Sequence, residues 1–260
     1  MKSTTDAASV CRPHFKPTWS DGPYKELVLA LGILGLWVVS LWLGLQMDLA
    51  QVPLWSLGAM VLLRIFLQTG LFITAHDAMH GSVCPANRKL NDCIGAVAVI
   101  AYAFLSYRKL VAKHRLHHRA PASAQDPDFH GADGASALVW YLNFMKDYLK
   151  DIPESLFMVV GMNLTFYTLL LGFHIPLLNL LLFWGLPTVL STVQLFYFGT
   201  YLPHRELPQG YTDRHRATTS NFPVFWSLVS CYHFGYHWEH HEYPHLPWHR
   251  LPLARKQRVS

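Results

Sequence analysis

The chain has 260 residues, of which 52% are hydrophobic and only 14% charged, with a formal net charge of +5 and a pI near 9.0. An ordinary soluble domain carries roughly 25% charged residues, so the composition argues against one and points to a bilayer. The basic residues flank apolar segments, which favours a membrane surface over nucleic acid as their partner. Residues 1–25 are polar, contain Pro13, Pro17 and Pro23, and lack the apolar core of a cleavable signal. A first span is expected over about 26–47 and a second over 53–75, which runs straight into His76. The apolar stretch 93–107 is too short to cross and is expected as a re-entrant or interfacial helix. Residues 119–155 are expected as a water-facing connection. Third and fourth spans follow over about 156–173 and 177–202, the latter interrupted by Pro187. A polar, aromatic and basic tail, 205–260, closes the chain. The expected fold is thus all-α and integral to the membrane, with 26–260 as one domain of four spans plus the short 93–107 helix.

Topology follows from charge. If 93–107 returns to its starting side, both termini, the 108–155 segment and the tail share one side. The two opposite turns, near 47–53 and 173–176, contain no Lys or Arg, whereas Lys2, Arg12, Lys16, Lys25, Arg88, Lys89, Arg108, Lys109, Lys113, Arg115, Arg119, Lys146 and Lys150 all fall on the common side. The positive-inside rule makes that side cytoplasmic.

Three histidine words stand on it: His76-Asp-Ala-Met-His80, His114-Arg-Leu-His117-His118 and His237-Trp-Glu-His240-His241. Residues three and four apart share a helix face, so HxxxH sets two imidazoles side by side and HxxHH adds a third. Eight imidazoles exceed one mononuclear shell and point to two metal ions in one pocket. A tail that is merely rich in His and Trp is the plain alternative. Imidazole suits Fe, Zn, Cu and Ni, so ligand type does not name the metal. His204, at the end of the fourth span, is a further candidate ligand; His233, one turn before His237, is read either as a ligand or as a support for one. Asp77, Asp126, Asp128, Glu239 and Glu242 are candidates to accept the outer ring N–H of a ligating histidine, with function favoured for Asp77 and Asp126. Arg64 and Gln68 lie inside the second span, where an Arg is costly and faces protein or a cavity; a paired, structural role is expected. His14, His174 and His215 read as incidental. Cys11, Cys84, Cys93 and Cys231 form no CxxC pair and receive no role.

The three histidine words resemble those of the membrane fatty-acid desaturase and hydroxylase superfamily. Within it, His76-Asp-Ala-Met-His80-Gly81, Gln125-Asp-Pro-Asp-Phe-His130 and the run from His233 to Trp248 resemble the CrtW-type β-carotene 4-ketolases of bacteria and cyanobacteria, over about 21–253. The resemblance implies a non-haem di-iron oxygenase that uses O2 and electrons from a separate ferredoxin-type donor. It implies a substrate with β-ionone rings, whose C4 is hydroxylated twice and then dehydrated to a ketone, taking β-carotene to echinenone and canthaxanthin. It further implies His76, His80, His114, His117, His118, His237, His240 and His241 as iron ligands, with His204 and His233 completing the shell, and Asp77 and Asp126 as catalytic-motif residues. A carotenoid ring hydroxylase or a fatty-acyl desaturase shares the histidine logic. A membrane metal carrier is a non-enzymatic alternative, but it would place ligands along a path within the spans.

Overall fold

The computed structural model describes residues 24–131 and 134–259. The expected polar amino-terminal segment falls outside it up to residue 23, and with it Lys2, Cys11, Arg12, His14, Lys16 and Trp19. Four helices are long and apolar enough to cross a membrane: α1 (Lys25–Leu45), α2 (Leu54–Met79), α6 (Ile152–Gly172) and α7 (Leu177–His204). At 1.5 Å per residue each covers about 30 Å or more, the thickness of a hydrocarbon core. α6 has no buried residue in its apolar stretch, so its Leu, Val and Phe side chains need a nonpolar solvent around them. Apart from one antiparallel bridge between Thr219 and Tyr236, the described residues are helix, turn and loop.

The expected spans shift at their ends for local reasons. α2 continues to Met79, so His76 is held inside a helix rather than beyond it. α6 starts at Ile152, with Pro153 in its first turn, where a missing N–H costs nothing. α7 contains two π-helical turns, Leu181–Gly185 and Tyr197–Tyr201, and each ends two residues before a proline, Pro187 and Pro203. Proline has no N–H to close the ordinary helical bond, so the backbone widens by one residue at each site. Pro187 therefore does not break the span.

The short apolar element begins earlier than 93 and ends before 107. α3 covers Arg88–Ala103, because the Asn87 side chain accepts the Leu90 N–H at 3.0 Å and starts a helix through a polar first turn. Phe104 then adopts a left-handed conformation (φ 54°), and α4 (Tyr107–Arg119) leaves at 101° to α3. Tyr107 donates from its hydroxyl back to Asp92 at 3.2 Å, which closes the elbow. The segment 119–155 is not simply a water-facing connection. Residues Ala137–Leu149 form α5, capped by Ser136, and its Trp140 is buried. Its apolar run was masked in the sequence by the Pro, Gly and Asp residues around it. In the tail, α8 (Val224–Cys231) packs against α2 and α7, and α10 (Leu251–Val259) packs against α9 (His237–Glu242).

Polar side chains fix the helices to one another. Asn179, at the start of α7, donates to the carbonyls of Gly44 (3.0 Å) and Met47 (2.8 Å), which places the two short turns at one end of the bundle. At the other end Arg250 bonds Glu26 of α1 (2.9 Å), and the Trp248 N–H donates to Asp77 of α2 (3.1 Å). Arg64 is fully buried and structural, as expected: its Nε donates to the Phe183 carbonyl at 2.8 Å, and its guanidinium also reaches the Trp37 carbonyl and Ser40. Phe183 is the residue whose carbonyl Pro187 leaves without a helical donor, so the intramembrane arginine repairs the proline. Gln68 similarly joins α1, α3 and α7 by accepting from Trp37 (2.6 Å) and donating to the Tyr102 carbonyl (2.7 Å) and Thr188 (3.3 Å).

Candidate metal centre

Nine histidines carried by four helices converge at the end of the bundle away from the short turns, in two adjoining groups. His76, His80, His114, His118 and His240 form one; His117, His204, His237 and His241 form the other. Helical rotation divides each HxxHH word. In α4, His114 and His118 (i, i+4) enter the five-membered group, and His117 turns to its neighbour. In α9 the assignment reverses, with His237 and His241 paired in the four-membered group and His240 in the other. The wide π turn and Pro203 at the end of α7 set His204 beside His117 and His237, with ring centroids 4.7 and 4.8 Å away.

The spacings suit metal ligands better than hydrogen bonds. In the five-membered group the Nε2 atoms run His80–His114 2.7 Å, His114–His118 3.0 Å, His118–His240 2.9 Å and His240–His76 3.2 Å. One ring N–H serves one acceptor, so no assignment of protons makes all of these hydrogen bonds at once. Ligands on one ion with bonds of about 2.1 Å stand about 3.0–3.4 Å apart, close to what is found. In the four-membered group His117 Nε2 and His241 Nε2 are 3.2 Å apart, and His204 Nε2 and His237 Nε2 are buried with no hydrogen-bond partner. Buried nitrogens of this kind are costly unless something binds them. Both groups are able to hold a metal ion.

Electrostatics keeps the lone pairs free. Burial, reinforced by neighbouring imidazoles, lowers the pKa of His80 to about 4 and that of His118 to about 2, so both are neutral near pH 7. His117 differs. Burial lowers its pKa, but the hydrogen bond and charge of Asp126 outweigh burial and raise it. Its Nδ1 lies 2.9 Å from Asp126 Oδ2, which fixes the proton there and turns Nε2 towards the group. Burial raises the Asp126 pKa in turn, and the pairing with His117 outweighs it, holding that carboxyl below its usual value. His204 Nδ1 is oriented likewise by the Arg216 carbonyl at 2.9 Å.

The other sequence candidates sit as follows. His233 is in neither group; its ring stacks on Tyr236 with centroids 5.6 Å apart, in a backbone conformation with φ 61°. Asp77 Oδ1 is 3.4 Å from its neighbour His76, and Oδ2 accepts from Trp248. Glu239 serves Thr219 and Arg258, and Glu242 serves His215 and Arg214, so neither orients a grouped histidine. Asp128 lies beside His117 without a hydrogen bond to it. His215 is buried against Glu242. The Arg216 carbonyl was not legible as a functional group, because any residue carries one.

A cavity of about 140 Å³ opens beside both groups. His76, His114, His117 and His237 contribute to its polar wall, with Lys113 and Asp128 beside them, and Phe72, Phe144, Leu195, Phe196 and Phe234 contribute to its apolar one. A dry apolar cavity of about 150 Å³ accommodates a single six-membered ring. Gly199 shapes it, since a Cβ there would come within 2.6 Å of the Phe234 ring, which packs edge-on to His76 at 4.5 Å.

Comparison with known sequences agrees with this centre. The fatty acid desaturase family profile matches residues 50–160 and 146–259. The chain belongs to the fatty acid desaturase family. Among individual proteins, the β-carotene ketolase of Paracoccus sp. (strain PC1) is 41% identical over 247 residues, covering 93% of this chain and 96% of its own length. The β-carotene 4-ketolase 3 of Haematococcus lacustris is 36% identical, covering 97% of this chain and 85% of its own. The zeaxanthin 4-ketolase of Chlamydomonas reinhardtii is 40% identical over 87% of this chain and half of its own. The family takes its name from desaturation, yet these relatives are named for ketone formation.

Proposed function

We propose that the chain is a β-carotene 4-ketolase, which converts the C4 methylene of a β-ionone ring to a ketone. The observation that carries this reading is a pair of buried histidine groups facing a ring-sized apolar cavity, in a chain about 40% identical to named ketolases along nearly its whole length. Two hydroxylations at one carbon give a geminal diol, which loses water to leave the ketone. Each hydroxylation uses one O2, two electrons and two protons, and releases one water. β-Carotene would pass through echinenone to canthaxanthin as its two ends react.

The nine grouped histidines are the residues that would hold two iron ions, and the pair, when bound, supplies O2 activation. Asp126 keeps the His117 proton on Nδ1, and the Arg216 carbonyl does the same for His204. Asp77 supports His76 and anchors the tail through Trp248. The aromatic wall holds the ring with C4 towards the histidines and excludes water. The chain bears no nucleotide fingerprint of its own, so electrons come from a separate ferredoxin-type donor, and the basic surface near α4 suits an acidic one. Residues 26–260 act as one domain, with the termini and the metal centre on the cytoplasmic side.

The test is the pigment profile of a β-carotene-producing bacterial host that expresses the chain with a working electron donor. Ketocarotenoids are expected, and the His118→Ala variant should make none and bind less iron. Hydroxylated rings alone would favour the ring hydroxylase, altered lipid unsaturation the acyl desaturase, and normal iron and ketone in the variant would sink the metal assignment.

A further inference from the structure

The cavity contains a hydrogen-bond acceptor that β-carotene, a hydrocarbon, has no means of using. Asp128 is part of its lining, and Asp128 Oδ1 is buried with no hydrogen-bond partner. Two hydroxyls in that lining are already partnered: Tyr102 accepts from Ser191 at 3.1 Å, and the Thr192 hydroxyl pairs with Tyr141 at 2.8 Å. The backbone of Asp128 is fixed on both sides. Its N–H donates to Asp126 Oδ1 at 2.9 Å, and its carbonyl accepts from Trp140 Nε1 at 3.0 Å, with Trp140 itself buried. Asp126 in turn bonds His117. A short chain of hydrogen bonds therefore ties the Asp128 backbone, through Asp126, to a histidine of the metal centre.

A buried acceptor held in place beside an apolar cavity calls for a donor on the bound molecule. The unreacted ring has none. The first donor to arise is the hydroxyl that the first oxidation places on C4. We propose that Asp128 accepts a hydrogen bond from this C4 hydroxyl and retains the half-oxidised ring for its second oxidation. An alcohol in a purely apolar cavity would lose its hydrogen bonds and leave; with Asp128 as acceptor it stays, and the same contact serves the geminal diol. Asp128 is a positioning residue for the second oxidation. The inference rests on the ketolase reading and adds the reason why the reaction does not stop at the alcohol.

The discriminating experiment is the ratio of 4-hydroxy to 4-keto rings in the β-carotene-producing host, with wild type, Asp128→Leu and Asp128→Asn measured side by side and bound iron quantified. Asn keeps a carbonyl acceptor and should hold the ratio near that of wild type. Leu removes it, and the ratio should rise about tenfold or more, the value of one hydrogen bond to a charged acceptor. The fall in ketone should exceed any fall in β-carotene consumption. An unchanged ratio in the Leu variant, or a loss of iron from it, overturns the proposal. If the Leu variant does not accumulate, the iron-loaded wild-type protein, kept without a reductant, decides. It should bind a 4-hydroxylated carotenoid about tenfold more tightly than β-carotene, read by quenching of tryptophan fluorescence, and equal binding overturns the proposal. Absence of any ketone from the wild type would refute the ketolase reading instead, so the two failures are distinct.

Discussion

The five-histidine group takes an i, i+4 pair from α2, another from α4 and one residue from α9, whereas the four-histidine group takes a pair from α9 and single residues from α4 and α7. The first group has three partly exposed members; every member of the second is buried. The second is also the one tied from outside, by Asp126 to His117 and by the Arg216 carbonyl to His204. One site thus relies on the number of its ligands and the other on their orientation. The contrast follows from the two helices that supply them: α2 brings two histidines one turn apart, His76 and its capping residue His80, but α7 delivers only its last residue past Pro203.

The largest effect should come from truncating the smaller group. His237→Ala leaves it three imidazoles, and the expected result is loss of about half of the bound iron and of all ketone, measured by metal analysis and pigment chromatography. His80→Ala leaves its group four imidazoles and should retain more iron than His237→Ala; equal losses would remove the distinction between the groups. Next in size is orientation. Asp126→Asn should weaken iron retention by about 10–100-fold, as loss of an orienting carboxylate generally does, whereas Asp77→Asn, at 3.4 Å from His76, should cost less. Titrating iron release with a chelator compares the two variants.

A smaller effect is expected from pH on the metal-stripped protein. His80 and His118 are held neutral by burial, with pKa values lowered to about 4 and about 2, while unfolded imidazoles titrate near about 6.5. Below that value the unfolded chain binds more protons, so stability should fall as pH drops from about 6.5 towards 4. His117, whose pKa is raised, contributes in the opposite sense: its stabilisation is present at low pH and lost as pH rises through its folded value. The two lowered groups outnumber it, so thermal unfolding should move to lower temperature with acidification; a rise would reverse the reading. Smallest is the effect of Gly199→Ala, which pushes Phe234 towards His76 and should slow ketone formation a few-fold with iron content unchanged.

Much of this was legible in the residues. The long apolar runs and the absence of Lys and Arg from two turns were sufficient for the four spans, since a bilayer demands little more than length and hydropathy. His204 was readable from its position at the end of a span. α5 was not readable as a cavity wall, because its apolar run is short and only tertiary contact tells it from a loop. The start of α3 was hidden by a polar first turn, which becomes helical only because Asn87 caps it.

The sequence by itself determined that three histidine words would share one end of a helical membrane protein, because periodicity and charge act locally. Which histidine joins which group was decided by tertiary structure. Within one helix His117 and His118 are neighbours, and only the placement of α2, α7 and α9 around α4 sends them to different groups. The place of Asp128 beside the cavity was decided in the same way: Trp140 of α5 holds its carbonyl, and where α5 packs leaves no mark on the local sequence.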